Sequence, residues 1–382
     1  MPLFNVVTCG TSLLTSRLDK DKRAIVFKHA NKKKQDYAPE ELQQIDALLS
    51  LQREKLLSAD EQTARMFSAE LNGLIGYYRE RCESDCSTNG DLTCLICSDT
   101  YQGKQVAHIL AEWGRNHDMN MTVQPIDDLS TACREEFQLG INNLVDWCQA
   151  NLPGYRQSGY RVVFNLVGGF KALQGYMQTL GMFYADEIIY IFETSKELLS
   201  IPRLPLDLNA NIKKILRDNL PLVRKLYSLH ELHFTTKRTE CHELPDLLLN
   251  VVGNDCEISA WGKLMFCNFK NELYCKSLLP PWSDRILYAK GLDNLVDKTL
   301  DPDKRVLLNE AIDKLCVYFH TDGRVNIASL NLRPLRAPLG PSTHEFNAWS
   351  TQNAWRCFCH YENKQGDEKS IVIDAIDVGL GH

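Results

Sequence analysis

The sequence predicts an α/β protein with a Rossmann-like first domain, a small winged-helix-like connector and a compact α+β domain at its carboxyl end. Three observations lead to this prediction. In residues 1–204, short runs rich in Val, Ile and Phe alternate with helical repeats; in residues 205–282, helical patterns adjoin a short hairpin; and in residues 283–382, one strand and two helices precede three strands. A length of 382 residues fits two or three domains.

The first domain has five predicted strands, whose continuous apolar runs suit a parallel sheet covered on both faces. They span residues 4–9, 92–98, 121–126, 161–167 and 187–192. Helical periodicity is clearest over residues 64–78, 106–113 and 130–149. In this fold class, ligands bind beyond the carboxyl ends of the strands, and candidate binding residues are therefore sought there.

The connector is predicted to hold helices over 211–229 and 243–252, followed by a helix that runs into a hairpin within 258–275. In the last domain we predict a strand over 285–289 and helices over 291–300 and 303–319. Strands over 343–349, 354–362 and 369–379 complete it. A strand, a helical pair and an antiparallel meander form a compact α+β domain.

Composition excludes several classes of protein. Apolar residues make up 44% and charged residues 24%, which is typical of a folded globular protein, and the net charge of −6 argues against a protein that coats nucleic acid. No apolar run approaches the roughly 18 residues that cross a bilayer, so we expect a cytoplasmic protein without a membrane partner.

Cys94 and Cys97 have CxxC spacing inside an apolar run, which favours buried thiols over zinc, and no metal is expected.

A basic segment lies between Arg17 and Lys34, with eight Lys or Arg residues against two Asp residues. A solvated loop is the favoured interpretation of such a charge run, and a rim that attracts phosphate is the alternative.

Three predicted strands of the first domain end in loops that combine glycine with hydroxyl or lysine side chains, at residues 9–12, 98–104 and 165–171. Glycine permits backbone conformations in which successive N–H groups point into one concavity, which suits a phosphate. None of the loops is a Walker A or GxGxxG motif, so neither an NTPase nor a dehydrogenase is indicated. Together they predict an anionic ligand at this edge of the sheet.

Residues 1–204 resemble the CARF domain of CRISPR-associated effectors, through GTSLL at 10–14, AELNGL at 69–74, SDT at 98–100 and NLVGGFK at 165–171. The resemblance implies a homodimer that binds a cyclic oligoadenylate, most often cyclic tetra-adenylate, as an allosteric activator without any further cofactor. The residues that it implies for this ligand are Gly10, Thr11 and Ser12 for one phosphate-ribose unit, Asn165, Gly168, Gly169 and Lys171 for another, and Ser98, Asp99 and Thr100 for a base or ribose.

Residues 283–382 resemble the RelE/HigB toxin fold, on the order of RILYAKGLDNLV, RVLLNEAIDKL, LNLRPLRAPLG, STHEFNAW, WRCFCHYE and IVIDAIDVG. This resemblance implies a metal-independent endoribonuclease that cuts messenger RNA on the ribosome, by attack of the 2′-OH on the adjacent phosphate to leave a 2′,3′-cyclic phosphate. The implied residues are Arg333, Arg336 and Arg356 for the transition state, Arg305 for the RNA backbone, and His344, His360 and His382, with Tyr361 behind them, for proton transfer.

This last domain carries 12 Lys or Arg and 14 Asp or Glu residues, unlike strongly basic free toxins. One explanation is a reduced catalytic set. The other is delivery of the substrate by a larger partner, such as a ribosome that recruits the domain through a ribosomal protein.

Three alternatives stay open. Arg224 and His230 have the spacing of a HEPN ribonuclease motif, although an amphipathic connector helix is the favoured interpretation. The chain can also be a ligand-gated transcriptional regulator that reads DNA through the connector, or a stand-alone ring nuclease that consumes its oligoadenylate.

Overall fold

In a computed structural model, the chain is described over residues 1–82, 90–192, 197–204, 206–230, 232, 234–325, 327–349, 355–363 and 369–378. It divides into two compact units, Met1–Asp207 and Leu208–His382. Over these described ranges the protein is mixed α/β, with thirteen α-helices and three β-sheets. None of the described helices combines the length and the apolar character needed to cross a membrane.

The first unit is built on a six-stranded sheet in the order β3-β2-β1-β4-β5-β6. Five strands are parallel and β6 runs antiparallel to β5 at the edge. The strands are β1 (Leu3–Thr8), β2 (Leu92–Ser98), β3 (Met121–Ile126), β4 (Arg161–Asn165), β5 (Glu187–Ile191) and β6 (Leu198–Pro202). β2 and β3 occupy the residues predicted for them. β6 was not predicted: it has only five residues, LLSIP, and ends at Pro202, so it gives a short signal that a loop can also give.

Strand order reverses at β1, which pairs with β2 on one side and β4 on the other. This is the strand order of a doubly wound, Rossmann-like sheet, in which a crevice opens where the chain leaves the two central strands in opposite directions. The loops after β1 and β4 therefore lie side by side at the carboxyl edge.

Helices cover both faces of this sheet. Trp113 is fully buried against one face, while Phe4 stacks on Tyr155 on the other with ring centroids 3.6 Å apart. The helices are α1 (Ser12–Thr15), α2 (Lys20–Lys28), α3 (Pro39–Leu57), α4 (Glu61–Phe67), α5 (Ala69–Cys82), α6 (Tyr101–Arg115), α7 (Arg134–Gln157) and α8 (Lys171–Tyr184).

The second unit begins with the connector, in which three helices surround a small antiparallel sheet of order β7-β9-β8. These elements are α9 (Ala210–Asp218), α10 (Leu220–His230), β7 (Thr236–Lys237), β8 (Leu249–Val252), β9 (Asp255–Ile258) and α11 (Ala260–Tyr274). The predicted order of helix then hairpin was wrong, since the hairpin β8–β9 precedes α11. Gly253, at a φ of +62°, and Asn254 form its two-residue connection, a tight-turn signal that the helical interpretation of 243–252 overlooked.

The rest of the second unit has a five-stranded sheet in the order β10-β14-β13-β12-β11. β10 is parallel to β14, and the other pairs are antiparallel. The elements are β10 (Ile286–Tyr288), α12 (Leu292–Thr299), α13 (Pro302–His320), β11 (Arg333–Leu339), β12 (Ser342–Trp349), β13 (Trp355–Asn363) and β14 (Lys369–Val378). A core of buried residues that includes Phe346, Cys357 and Cys359 fills the space between the sheet and the helices.

Candidate functional site

In the first unit, the loops after β1, β2 and β4 meet around a cavity of about 390 Å³ at the carboxyl edge of the sheet. We call it the loop pocket. Besides the three loops, residues 27–31 and the segment after β3 contribute to its wall. The lining residues are Cys9, Gly10, Thr11, Ser12, Thr15, Phe27, Ala30, Asn31, Ala69, Ser98, Thr100, Gly103, Leu129, Ser130, Thr131, Val167, Gly168, Gly169 and Phe170.

Seven of the ten ligand-binding candidates line the loop pocket. Asn165, Asp99 and Lys171 are not among its lining residues. Asn165 is buried, and its side chain donates to the carbonyl of Glu70 and accepts from the N–H of Val167. Asp99 is buried, and its carboxylate forms an ion pair with the Lys33 ammonium at 2.7 Å. This contact raises the pKa of Lys33.

The first of these loops is already bonded to a carboxylate of the protein. The side chain of Glu70, which is 1% exposed, accepts from the Gly10 N–H at 2.8 Å and from the hydroxyls of Ser12 and Ser68 at 2.6 and 2.7 Å. Two groups predicted to hold a ligand phosphate, the Gly10 N–H and the Ser12 hydroxyl, therefore hold an internal anion. The geometry accommodates a negative charge, and a carboxylate of the protein already occupies part of it.

Close packing explains the glycines of these loops. A Cβ on Gly10 would lie 3.0 Å from the Cα of Gly169, and a Cβ on Gly168 would lie 2.4 Å from Glu70 Oε1. Gly169 itself has a φ of +93°, a conformation that side chains disfavour. The loops after β1 and β4 are thus held backbone against backbone, so the pocket wall at the strand reversal is preformed.

Helix ends add to the electrostatics of the loop pocket. α6 begins beside Thr100, whose hydroxyl accepts from the Gly103 N–H at 3.2 Å and bonds the Ser98 hydroxyl at 2.8 Å. α8 begins at Lys171, which is exposed, directly after the Gly168–Gly169 turn. N-terminal N–H groups of helices carry partial positive charge, so both ends favour an anion at this edge.

Lys20–Lys28 of the basic segment form α2, so the interpretation as a loop was wrong for these residues, although most of them are exposed to solvent. Asp19 accepts from the Lys22 N–H to begin α2. Within the segment, Lys28 and Lys32 contact Glu41, at 3.9 and 2.6 Å. Lys22 and Lys33 pair with Asp19 and Asp99, and Lys34 lies over the Tyr101 ring, so most of the lysine charge in the segment has a partner.

The second unit brings two of the predicted arginines onto one carboxylate. Arg333 lies opposite Glu345 in the β11–β12 pairing, and its Nε donates to Glu345 at 2.8 Å. Arg356 on β13 donates to the same carboxylate at 3.0 Å. The Glu345 side chain is 8% exposed, whereas those of Arg333 and Arg356 are 45% and 30% exposed. The cluster therefore presents two guanidiniums around one buried negative charge, with a net charge of +1.

His360 lies on the same face of β13, four residues beyond Arg356. Its Nδ1 is 2.9 Å from the Asp374 carboxylate, which also accepts from the Ser342 hydroxyl at 2.7 Å. An ionised carboxylate only accepts hydrogen bonds, so Nδ1 carries the proton and Nε2 is the basic nitrogen of the neutral ring. The Cα atoms of Arg356 and His360 are about 13 Å apart along an extended strand, so the two clusters are neighbours on one surface.

His344 lies on the other face of the sheet. It packs edge-on against Tyr361 at 4.8 Å between ring centroids, and Tyr361 follows His360 on the strand, so the two histidines point to opposite sides. Burial lowers the pKa of His344 and raises the pKa of Tyr361 to about 12. The structure thus groups His360, and not His344, with the arginines.

Three further candidates differ in their surroundings. The guanidinium of Arg305 donates to the carbonyls of Cys275, Asp297 and Leu300, which favours a structural role over contact with RNA. Arg336 is exposed on β11, and no acidic partner is found for it among the described residues. His382 lies outside the described residues.

The HEPN-like spacing in the connector has a structural explanation. Arg224 is 1% exposed and pairs with Asp313 of α13 at 2.9 Å, while His230 is buried near Glu257. Tyr274 donates to the other oxygen of Asp313. These side chains are interior groups of the second unit and do not form an exposed catalytic pair.

Within the described ranges, no group of three or more His, Cys, Asp or Glu side chains is placed to hold a metal ion. Cys94 and Cys97 are buried in β2, and burial raises the pKa of each thiol to about 12.

The acidic residues that organise both sites were missed at the level of sequence. Glu70 stands two residues after Ser68 at the start of α5, and Glu345 is a single charge inside the apolar strand β12. Asp374 likewise interrupts the apolar run of β14. An isolated carboxylate within a buried element was the available signal, because such a group needs a partner.

Comparison with known proteins identifies a family model that matches part of the chain. Residues 65–204 match the family model described as CRISPR-associated protein (Cas_APE2256). This range holds α5, with Glu70, and the loops after β2 and β4. No curated protein sequence matches the chain. The family match supports a CRISPR-associated protein.

Proposed function

We propose that the chain is a CRISPR-associated effector in which a cyclic oligoadenylate, with cyclic tetra-adenylate as the first candidate, binds the first unit and activates RNA cleavage by the second. The observation that carries the proposal is the loop pocket, where three strand-end loops meet two helix N-termini at the strand reversal. The family match over residues 65–204 supports the CRISPR context.

The chemistry of the loop pocket suits a nucleotide phosphate. The Thr11 hydroxyl and the backbone of the Gly168–Gly169 turn line the loop pocket, and Lys171 stands exposed at the start of α8. In a homodimer, two copies of this edge would meet a ligand that has rotational symmetry through equivalent contacts. Both the dimer and the ring size belong to the proposal.

In the second unit we assign RNA cleavage to Arg333, Arg356 and His360. The Nε2 of His360 accepts the proton of the 2′-OH, and Asp374 orients the ring and stabilises the imidazolium. The 2′-oxygen attacks the adjacent phosphorus, the bond from phosphorus to the 5′-oxygen breaks, and that oxygen takes a proton. The guanidiniums of Arg333 and Arg356 stabilise the negative charge of the phosphorane.

Arg336 on β11 is exposed and adds a further cation to this domain. With a net charge of +1 on the arginine cluster, the domain attracts free RNA weakly, which agrees with delivery of messenger RNA by a ribosome.

The test is messenger-RNA cleavage in a reconstituted translation mixture, with and without cyclic tetra-adenylate, beside the same RNA without ribosomes. We expect cuts that need both ligand and ribosomes. Arg356→Ala should abolish cleavage and keep ligand binding, and Lys171→Ala should weaken ligand binding and leave the cleavage domain intact. Equal cleavage of naked and ribosome-bound RNA would remove the ribosome from the proposal.

Ligand that is bound or consumed without any RNA cleavage would limit the function to the first unit, as in a ring nuclease. The regulator alternative is disfavoured by α11, whose lysines are not presented for DNA: Lys263 is buried and Lys270 pairs with Glu310 at 2.6 Å.

A further inference from the structure

A second cavity, of about 480 Å³, adjoins the loop pocket in the first unit. Ser12, Thr15, Phe27 and Ala69 line both cavities, so the two are continuous along one surface. The second cavity also has three arginines in its wall: Arg17, Arg23 and Arg65. We call it the arginine pocket.

The three arginines have no acidic partner within the described ranges. Across the described part of the chain, no carboxylate lies within ion-pair distance of any of them, although neighbouring lysines of the same segment are paired. Their contacts are with neutral groups, namely Arg17 over the Phe67 ring at 4.8 Å, Arg23 Nε to the Thr15 carbonyl at 3.2 Å, and Arg65 Nε to Asn72 Oδ1 at 3.0 Å. Each contact to a carbonyl or amide uses one donor and orients the guanidinium, so several donors stay available for an anion.

An exposed aromatic ring stands between the two cavities. Phe27 is 63% exposed, and Met66 in the arginine pocket is 52% exposed. An aromatic face beside unpaired arginines is the combination by which proteins stack a nucleobase and hold the attached phosphate.

We propose that the arginine pocket binds a second nucleotide unit of the oligonucleotide whose first phosphate lies in the loop pocket, with its phosphate on Arg17, Arg23 and Arg65 and its base against Phe27. This inference rests on the proposed function of the first unit. It makes the first unit selective for ligands with at least two phosphates, because a mononucleotide can occupy only one of the two pockets.

The experiment uses the full-length protein and two variants: the double variant Arg23→Gln/Arg65→Gln and the control Lys20→Gln, which removes an exposed charge of α2 that does not line the pocket. Calorimetric titrations measure binding of cyclic tetra-adenylate, AMP and inorganic tripolyphosphate. The double variant should bind cyclic tetra-adenylate and tripolyphosphate at least about tenfold more weakly, since charge-assisted contacts are lost. Its affinity for AMP should fall less than its affinity for cyclic tetra-adenylate, because AMP can still occupy the loop pocket. Its melting temperature should stay unchanged, and Lys20→Gln should behave as the wild type.

A further variant separates base from phosphate. Phe27→Ala should lower the affinity for cyclic tetra-adenylate by about tenfold, because base stacking is lost, and should leave the affinity for tripolyphosphate unchanged.

Several outcomes would overturn the inference. One is an unchanged affinity of the double variant for cyclic tetra-adenylate. Another is a loss of AMP affinity as large as the loss of cyclic tetra-adenylate affinity, which would indicate damage to the loop pocket. A changed oligomeric state of the double variant would assign the surface to a contact between copies. A further outcome separates the two proposals. If the wild type binds tripolyphosphate but no oligoadenylate, and the double variant binds tripolyphosphate more weakly, the proposed function fails while the arginine pocket stands as an anion site. If the wild type does not bind tripolyphosphate, or if wild type and double variant bind it equally well, the arginine pocket is not an anion site.

Discussion

Replacing Glu70 by Gln should strengthen binding of an anionic ligand in the loop pocket. The substitution removes one negative charge and keeps nearly the same shape. Gln Oε1 can accept from the Gly10 N–H, as Glu70 Oε1 does, and the Gln amide can donate to the Ser12 and Ser68 hydroxyls, which have lone pairs to accept it. The loop should therefore keep its geometry, and the change isolates the effect of charge.

The magnitude follows from the distances. The Ser12 hydroxyl is 2.6 Å from Glu70. In Glu70→Gln the Gln amide donates to Ser12, so the Ser12 hydroxyl proton can bond a phosphate oxygen, which would lie about 5 Å from the position of the carboxylate. Coulomb repulsion over about 5 Å is about 1 to 3 kcal/mol for effective dielectric constants between those of water and of a protein surface, so affinity should rise about 5- to 150-fold.

The assay is titration of wild type and Glu70→Gln with cyclic tetra-adenylate at two salt concentrations, since screening should shrink the difference at the higher one. Glu70→Ala is the matched control, because it leaves the Gly10 N–H and two hydroxyls without their acceptor and should lower thermal stability. Weaker binding by a stably folded Glu70→Gln would refute the reasoning and make Glu70 a direct acceptor for the ligand.

Three further predictions concern the second unit and stability. Arg224→Met should destabilise that unit by about 3 to 5 kcal/mol, because it leaves the buried Asp313 carboxylate unpaired, and faster amide exchange in α13 would report it; unchanged exchange contradicts the assignment. Asp374→Asn should lower RNA cleavage by about 10² to 10⁴-fold without affecting ligand binding, measured as single-turnover rates over pH; a wild-type rate would remove His360 as the base. Burial lowers the pKa of His29, so the unfolded chain takes up a proton first as pH falls. Stability should therefore fall below about pH 6.5, by at most about 1.4 kcal/mol per pH unit, and urea unfolding should show a shallower dependence for His29→Gln.

The central sheet of the first unit could be predicted because its strands are self-contained signals. β2 is an apolar run with polar boundaries, and its burial within the parallel sheet matches that pattern. β6 could not be predicted in the same way, since its five residues, LLSIP, end at a proline and are too few to distinguish a short edge strand from a loop.

The candidate sites were predicted less completely, for a different reason. That the loops after β1 and β4 meet follows from the fold class, but the partner of the Gly10 N–H lies 60 residues away on α5. Likewise, Arg333, Glu345 and Arg356 come from three strands, and only the register of those strands brings them together. Register also separates His344 from His360, which sequence spacing alone cannot decide.

The position of α13 bears on how the proposed cleavage domain can be studied in isolation. One side of this helix packs on β12, and another meets α10 and α11, where Asp313 pairs with Arg224 and Asn309 donates to the carbonyls of Tyr274 and Ser277. A fragment that begins at residue 283 would leave these polar groups without partners on a newly exposed apolar surface. Such a fragment would be prone to aggregate, and a toxicity assay on it would report misfolding instead of catalysis. A fragment that begins at Leu208 keeps the helix covered on both sides.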